Sequence, residues 1–124
     1  MSLIKLEYTD VINSIEKKKM LEFSKDLLTT NYKKESLFVI KVDGESMQPL
    51  IKNKSLVVAD LSQTDVTNKD IYLVYHDNKM WIKQASIKEG DICFISINKD
   101  YSHLVFKSSE SRVVARVILT FTAL

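Results

Sequence analysis

A chain of 124 residues with 45% hydrophobic content has the apolar material for one domain with its own core and too little length for two. Its 18 basic and 16 acidic residues nearly cancel, and a net charge of +2 makes no strong electrostatic case for nucleic acid. No apolar run approaches the roughly 20 residues that span a bilayer, no signal peptide is visible, and the single cysteine, Cys93, excludes an intrachain disulfide. A cytoplasmic location is therefore expected, with no membrane partner.

Residues 1–36 read as a short strand, a loop and a second short strand. Leu21 and Phe23 alternate with polar neighbours, and Lys17-Lys18-Lys19 suits a solvated polar connection. No window supplies the paired amphipathic helices of a helix-turn-helix, so the single domain expected over 1–124 carries no DNA reader. From residue 37 the chain is rich in Val, Ile, Phe and Tyr, and strands are predicted at 37–42, 55–60, 71–76, 79–87, 91–97, 103–106 and 112–121. Punctuation is sparse, with two glycines and one proline. Gly90 fits a hairpin turn in Lys88-Glu89-Gly90-Asp91, while Gly44 and Pro49 flank a suspected site. Cys93, in Ile92-Cys93-Phe94-Ile95, reads as a small buried hydrophobe. Without long helices between the strands, a mostly-β, antiparallel fold is expected. The last strand carries apolar residues on both faces, Val113, Ala115, Val117, Leu119 and Phe121 against Val114 and Ile118. It is either buried on both sides or presents a face or a free edge to a second subunit.

The chemistry concentrates in Val42-Asp43-Gly44-Glu45-Ser46-Met47-Gln48-Pro49-Leu50. Gly44 permits a tight or left-handed backbone before Ser46, and Pro49 stiffens the exit. The Glu45 and Ser46 N–H groups are candidates for an oxyanion hole, and Met47 completes the turn signature. A serine hydroxyl needs a base within hydrogen-bond reach. Lys83 is the candidate, because strand alternation sets it on one face with Trp81 and Ala85, opposite Met80, Ile82 and Gln84. A lysine acts as a base only when neutral, which burial among apolar neighbours promotes. His76 and His103 lack the surroundings of a triad, and the two His and one Cys show no metal-ligand spacing, so no metal or cofactor is expected.

These residues resemble the self-cleaving serine peptidases of the LexA-like and phage-repressor C-terminal family, which includes the UmuD proteins. The likeness runs through Leu37–Val42 and Gly44–Ile51, Leu56–Asp60, Asp70–Tyr75 with Trp81-Ile82-Lys83, Ser96–Tyr101 and Val114–Val117. It implies coiled antiparallel sheets of the type shared with signal peptidase, and Ser46 attacking a peptide bond of its own N-terminal segment with Lys83 as base. It also implies a homodimer formed through the C-terminal strand, DNA binding only through an N-terminal domain absent from this chain, and stimulation by a RecA-type filament in an SOS response. The family's Ala-Gly cleavage dipeptide is replaced here by Val11-Ile12-Asn13-Ser14, which makes Ile12, Asn13 and Ser14 the candidate cleavage loop. Lys54-Ser55 replace the family's Gly-Asp. A non-cleaving dimerisation module of a transcriptional regulator is the competing expectation.

Overall fold

The computed structural model describes residues 2–29 and 31–124. Near its N-terminus, Asn13 (φ 51°) and Ser14 (φ 64°) are both left-handed and reverse the chain within two positions, as tight hairpin turns require. They join β1 (Leu3–Ile12) to β2 (Ile15–Ser24), paired from Leu3↔Ser24 to Ile12↔Ile15. The strand, loop and strand expected over 1–36 are thus present, but the connection is only two residues long. Lys17-Lys18-Lys19 lie inside β2 rather than in a loop. Cross-strand acids make that tolerable: Lys18 lies 3.5 Å from Glu7, and Lys19 lies 2.7 Å from Asp10.

The remaining strands form one antiparallel sheet in the order β3-β4-β9-β5-β6-β7-β8. They are β3 (Leu37–Lys41), β4 (Leu56–Asp60), β5 (Ile71–His76), β6 (Lys79–Lys88), β7 (Asp91–Ile95), β8 (Phe106–Lys107) and β9 (Arg112–Phe121). The mostly-β antiparallel architecture follows directly from the density of β-branched and aromatic residues. Three apolar clusters hold it. Ile4, Leu6 and Phe23 dock the hairpin on Leu37, Val39 and Val58. Tyr72, Val74, Ala85, Phe94 and Phe106 form a second cluster, and Met47, Ile51 and Val57 a third. Each fully buried aliphatic or aromatic side chain contributes roughly 1.5–3 kcal/mol.

Several strand limits differ from the expectation, for local reasons. The segment predicted as a strand at 103–106 retains only Phe106–Lys107. The Leu104 carbonyl accepts from Lys83 Nζ at 2.7 Å, and its N–H donates to Tyr101 O at 3.0 Å, so its backbone groups are satisfied outside any ladder. β7 stops at Ile95, because Asn98 is turned toward the Ser46 loop. Cys93 is only half-buried, and its neighbour Phe94 fills the core instead.

The free-edge alternative for the last strand does not hold, since β9 pairs with β4 on one side and β5 on the other. Both faces meet apolar clusters, although only Ala115 is fully buried and most of the strand is half-covered. Val117 packs against the Met47 cluster, while the adjacent Ile118 packs against the cluster beneath the hairpin. Next to β9, the buried Asp60 accepts hydrogen bonds from Ser62 N–H, Ser62 Oγ and Gln63 Nε2. Burial alone would raise its pKa, but these donors outweigh that effect and lower it. Among the described residues no helix is long and apolar enough to cross a membrane.

Candidate active site

Ser46 sits in the loop that joins β3 to β4. Val42 N–H donates to Ser55 O and Lys54 N–H to Val42 O, both at 2.8 Å, so the two ends of the loop remain zipped. Gly44 has φ +128°, a conformation that L side chains rarely adopt, and its N–H donates to Asn53 Oδ1 at 2.9 Å. The turn then closes through Gln48 N–H to Glu45 O at 3.1 Å and Ile51 N–H to Met47 O at 3.0 Å. Met47 and Ile51 are buried beneath it, anchored on Val57, and the Gln48–Pro49 bond is cis. Ser46 remains half-exposed above this anchor.

Asn98 fixes the same turn from the far side of the sheet, and the sequence reading did not single it out. Its N–H donates to Ser46 O and its Nδ2 to Glu45 O, each at 2.9 Å. Both Glu45 and Ser46 carbonyls are therefore taken. Their N–H groups make no backbone hydrogen bond among the described residues. A signal for Asn98 was available: an Asn two positions before Asp100 suits a side-chain cap, and Asn98 Oδ1 accepts from Asp100 N–H at 3.0 Å.

Lys83 reaches its position by strand alternation. Its neighbours at two positions, Trp81 and Ala85, join the Tyr72–Phe94–Phe106 cluster, whereas Ile82 packs toward Met47. The Lys83 side chain is fully buried. Its Nζ lies 4.4 Å from the centre of the Phe106 ring and 5.6 Å from that of Trp81, distances at which aromatic faces attract a cation. It donates to Ser96 Oγ and to Leu104 O, both at 2.7 Å. No carboxylate pairs with it among the described residues. Burial without a counter-charge pushes its pKa down from 10.5 to about 8. Holding the ammonium there at pH 7 costs the fold on the order of 3 kcal/mol.

Ser96 was also missed, though its place was readable. The β6–β7 register Lys88↔Asp91 through Gln84↔Ile95, extended one step, sets Ser96 opposite Lys83.

No hydrogen bond joins Ser46 to Lys83 among the described residues, and the two stand on separate elements, the β3–β4 loop and β6. Ser46 opens into a groove of about 330 Å³ whose walls include Val42, Leu73, Met80, Trp81, Ile82, Tyr101 and Leu104. Leu104 belongs to both settings, since it lines this groove and its carbonyl holds the Lys83 amine. In this arrangement both hydrogen bonds of Nζ run to Ser96 and Leu104, and none to Ser46.

The candidate cleavage loop lies elsewhere. Ile12 and Asn13 line a separate, larger groove of about 950 Å³ between the hairpin and residues 39–43, with Lys54 at its edge. The two grooves share residues 40–43, but the Ser46 groove does not include Ile12, Asn13 or Ser14. The hairpin is held in this position by a group that the sequence reading overlooked. The Asp10 carboxylate is buried and accepts from Lys19 Nζ at 2.7 Å and from Lys41 Nζ at 2.9 Å. Hydrogen bonds from Lys19 and then Lys41 hold the Asp10 pKa down at about 2, and the same contact raises that of Lys19.

A loop serine beside a groove and a buried lysine that pairs with no carboxylate among the described residues thus stand on a mostly-β antiparallel fold. Comparison with known proteins specifies it further. The Peptidase S24-like family matches residues 8–118, and this chain belongs to that family. An uncharacterized HTH-type transcriptional regulator of Haemophilus influenzae is 33% identical over 79 residues, a match covering 63% of this chain and 33% of the relative. The chain thus spans about a third of the length of the curated relative it matches.

Proposed function

We propose that this chain is the self-cleavage and dimerisation domain of a LexA-like or phage-type transcriptional regulator, a peptidase acting on its own chain through Ser46 and Lys83. The observation that carries the reading is the Lys83 amine, buried and without a counter-ion, one residue from the groove into which Ser46 opens. Amines in such costly settings cluster at functional sites. DNA binding belongs to a separate N-terminal region, as the helix-turn-helix name of the longer relative suggests.

In the reaction, the neutral Lys83 amine swings from Ser96 and Leu104 to take the Ser46 proton as Oγ bonds to the scissile carbonyl carbon. The Glu45 and Ser46 N–H groups, which are not used by the turn, receive the negative charge on the carbonyl oxygen. Breakdown of the intermediate cleaves the C–N bond, and the Lys83 ammonium returns the proton to the leaving amine. Water then attacks the Ser46 ester, with Lys83 again as base, and frees the acid. A second copy joins through an exposed part of the sheet, because several β9 side chains remain only half-covered in one copy.

Incubation of the wild type, Ser46→Ala and Lys83→Ala at mildly alkaline pH, followed by mass spectrometry, tests the cleavage. Fragments from the wild type alone are expected. An intact wild-type chain that also leaves a supplied Ala-Gly peptide uncut would remove the peptidase reading. One observation favours a non-cleaving module as the second reading: Lys83 donates to Ser96 and Leu104 rather than to Ser46. Sedimentation at high concentration tests the assembly role common to both, and a strict monomer would contradict it.

A further inference from the structure

Asn98 holds Ser46 on both sides of its Cα. Its Nδ2 donates to Glu45 O and its backbone N–H to Ser46 O, each at 2.9 Å. These carbonyls belong to the two peptide units that flank the Ser46 Cα. A trans peptide unit is planar, with its C=O and N–H directed oppositely. Fixing Glu45 O therefore fixes the direction of the Ser46 N–H, and that plane is pinned twice, since Gln48 N–H also donates to Glu45 O at 3.1 Å. The Ser46 N–H itself makes no backbone hydrogen bond among the described residues and is directed away from the Asn98 amide. Asn98 also opens the turn that leads to an acceptor of Lys83. Asn98 Oδ1 accepts from Asp100 N–H and Asn98 O from Tyr101 N–H, both at 3.0 Å. Tyr101 O in turn accepts from Leu104 N–H at 3.0 Å, and Leu104 O holds the Lys83 amine at 2.7 Å. Ser96, the other acceptor of that amine, precedes Asn98 in the same segment.

We propose that Asn98 is a positioning residue, which aims the Ser46 N–H as an oxyanion donor and registers the serine turn to the segment 96–104 that holds Lys83. The assignment rests on the reading of Ser46 as nucleophile and Lys83 as base, and deepens it by a residue that acts only through the serine turn. A plain tether between two loops needs one contact with any group of the turn. Asn98 instead directs both of its donors to the two carbonyls whose planes set the Ser46 φ and ψ. Its Oδ1 is taken by Asp100 N–H, which leaves Nδ2 as the end that faces Glu45. Without that bond the Glu45–Ser46 plane is free to rotate its N–H off the oxygen that it must meet. A misplacement of about 1 Å in a reacting geometry can cost on the order of 100-fold in rate.

Labelling of Ser46 in the full chain by an alkyl fluorophosphonate reads this arrangement. As Oγ bonds to phosphorus and fluoride leaves, the phosphonyl oxygen must meet the same N–H groups as a carbonyl oxygen would. Asn98→Ser keeps a short oxygen that can cap Asp100 N–H and removes the donor to Glu45 O. Its labelling rate at the alkaline plateau is expected to fall at least about ten-fold below that of the wild type. The midpoint of its pH profile is expected to stay at the wild-type value, because Ser96 and Leu104 are untouched. Asn98→Asp, which also keeps the cap but sets a carboxylate against Glu45 O, is expected to label at least as slowly. A measurement on the wild type alone guards against variants that fold poorly: exchange of the Ser46 amide is expected to slow on phosphonylation, and unchanged exchange would overturn the proposal. So would a wild-type rate in Asn98→Ser, or a midpoint that shifts together with the rate, which would mean a general loosening around Lys83. A wild type that resists the reagent removes the reading of Ser46 as nucleophile. Labelling that is insensitive to Asn98 leaves that reading in place and removes only the positioning role.

Discussion

Two buried charged groups, Asp10 in the hairpin and Lys83 in the sheet, have been treated in opposite ways by the same fold. Asp10 is surrounded by partners, with Lys19 and Lys41 both within 3 Å, and its charge is fixed. Lys83 has only neutral acceptors and aromatic rings, and its charge is held at a cost. Paired charges fasten one element to another. An unpaired amine that titrates near pH 8 is fit for moving protons, and the fold bears its cost through the packing around it.

The largest effect expected from breaking this contrast is in the sheet. Since Lys83 has a folded pKa of about 8 against 10.5, the unfolded chain binds more protons between those values, and stability rises with pH across that window. Below pH 8 the full cost is present; above about 10.5 it is gone. Lys83→Met removes the buried charge while keeping most of the volume. Urea unfolding at pH 7 is expected to show that variant more stable by up to about 3 kcal/mol, with a shallower pH dependence from 8 to 10. A destabilised Lys83→Met would mean that the two hydrogen bonds outweigh desolvation.

Loss of the Ser96 acceptor sharpens the same point. Ser96→Ala leaves a buried ammonium proton unsatisfied, at a cost of about 1–3 kcal/mol. It disfavours the charged form, so the Lys83 titration followed by NMR of its side chain is expected to move below 8. An unchanged midpoint would show that Ser96 only fills space.

On the hairpin side, Asp10→Asn removes the charge that holds β1 and β2 to β3. Amide exchange should accelerate in residues 4–23 while the sheet keeps its protection. The acid sign is opposite to that of Lys83. The depressed Asp10 pKa stabilises the fold above about 4, and this contribution is lost as pH falls toward about 2. Exchange in wild-type β1 and β2 should therefore quicken over that interval, and in Asp10→Asn it should not change through this group.

The most local effect is expected at the turn. Gly44→Ala meets no steric obstacle but must hold φ +128°, which costs about 1–3 kcal/mol. A thermal melt with no loss would show that the loop has relaxed.

Much of the sheet was legible because β-branched runs, the Gly90 turn and the alternation around Lys83 are local signals. The apolar face of Trp81, Lys83 and Ala85 was read from alternation alone, and Lys83 is indeed fully buried. Features that depend on distant pairing were not legible. The tight turn at Asn13 and Ser14 needs two residues of positive φ without glycine, which local propensity disfavours. Asp10 looks like any surface acid until Lys41 is brought to it from 31 residues away. The central place of β9 could not be read from its apolar pattern, because a strand covered on both faces looks the same at an edge or in the middle. Ser96 and Asn98 fell between these cases: each follows from one step of register or one capping pattern, once the neighbouring turn is known.

The most direct test of a base role for Lys83 is the rate at which an alkyl fluorophosphonate labels Ser46 as a function of pH. The rate should climb through about pH 8 in the wild type and collapse in Lys83→Met, which keeps the fold. A rate that is flat through pH 8, or is unaffected by Lys83→Met, would contradict the pairing of Ser46 with Lys83.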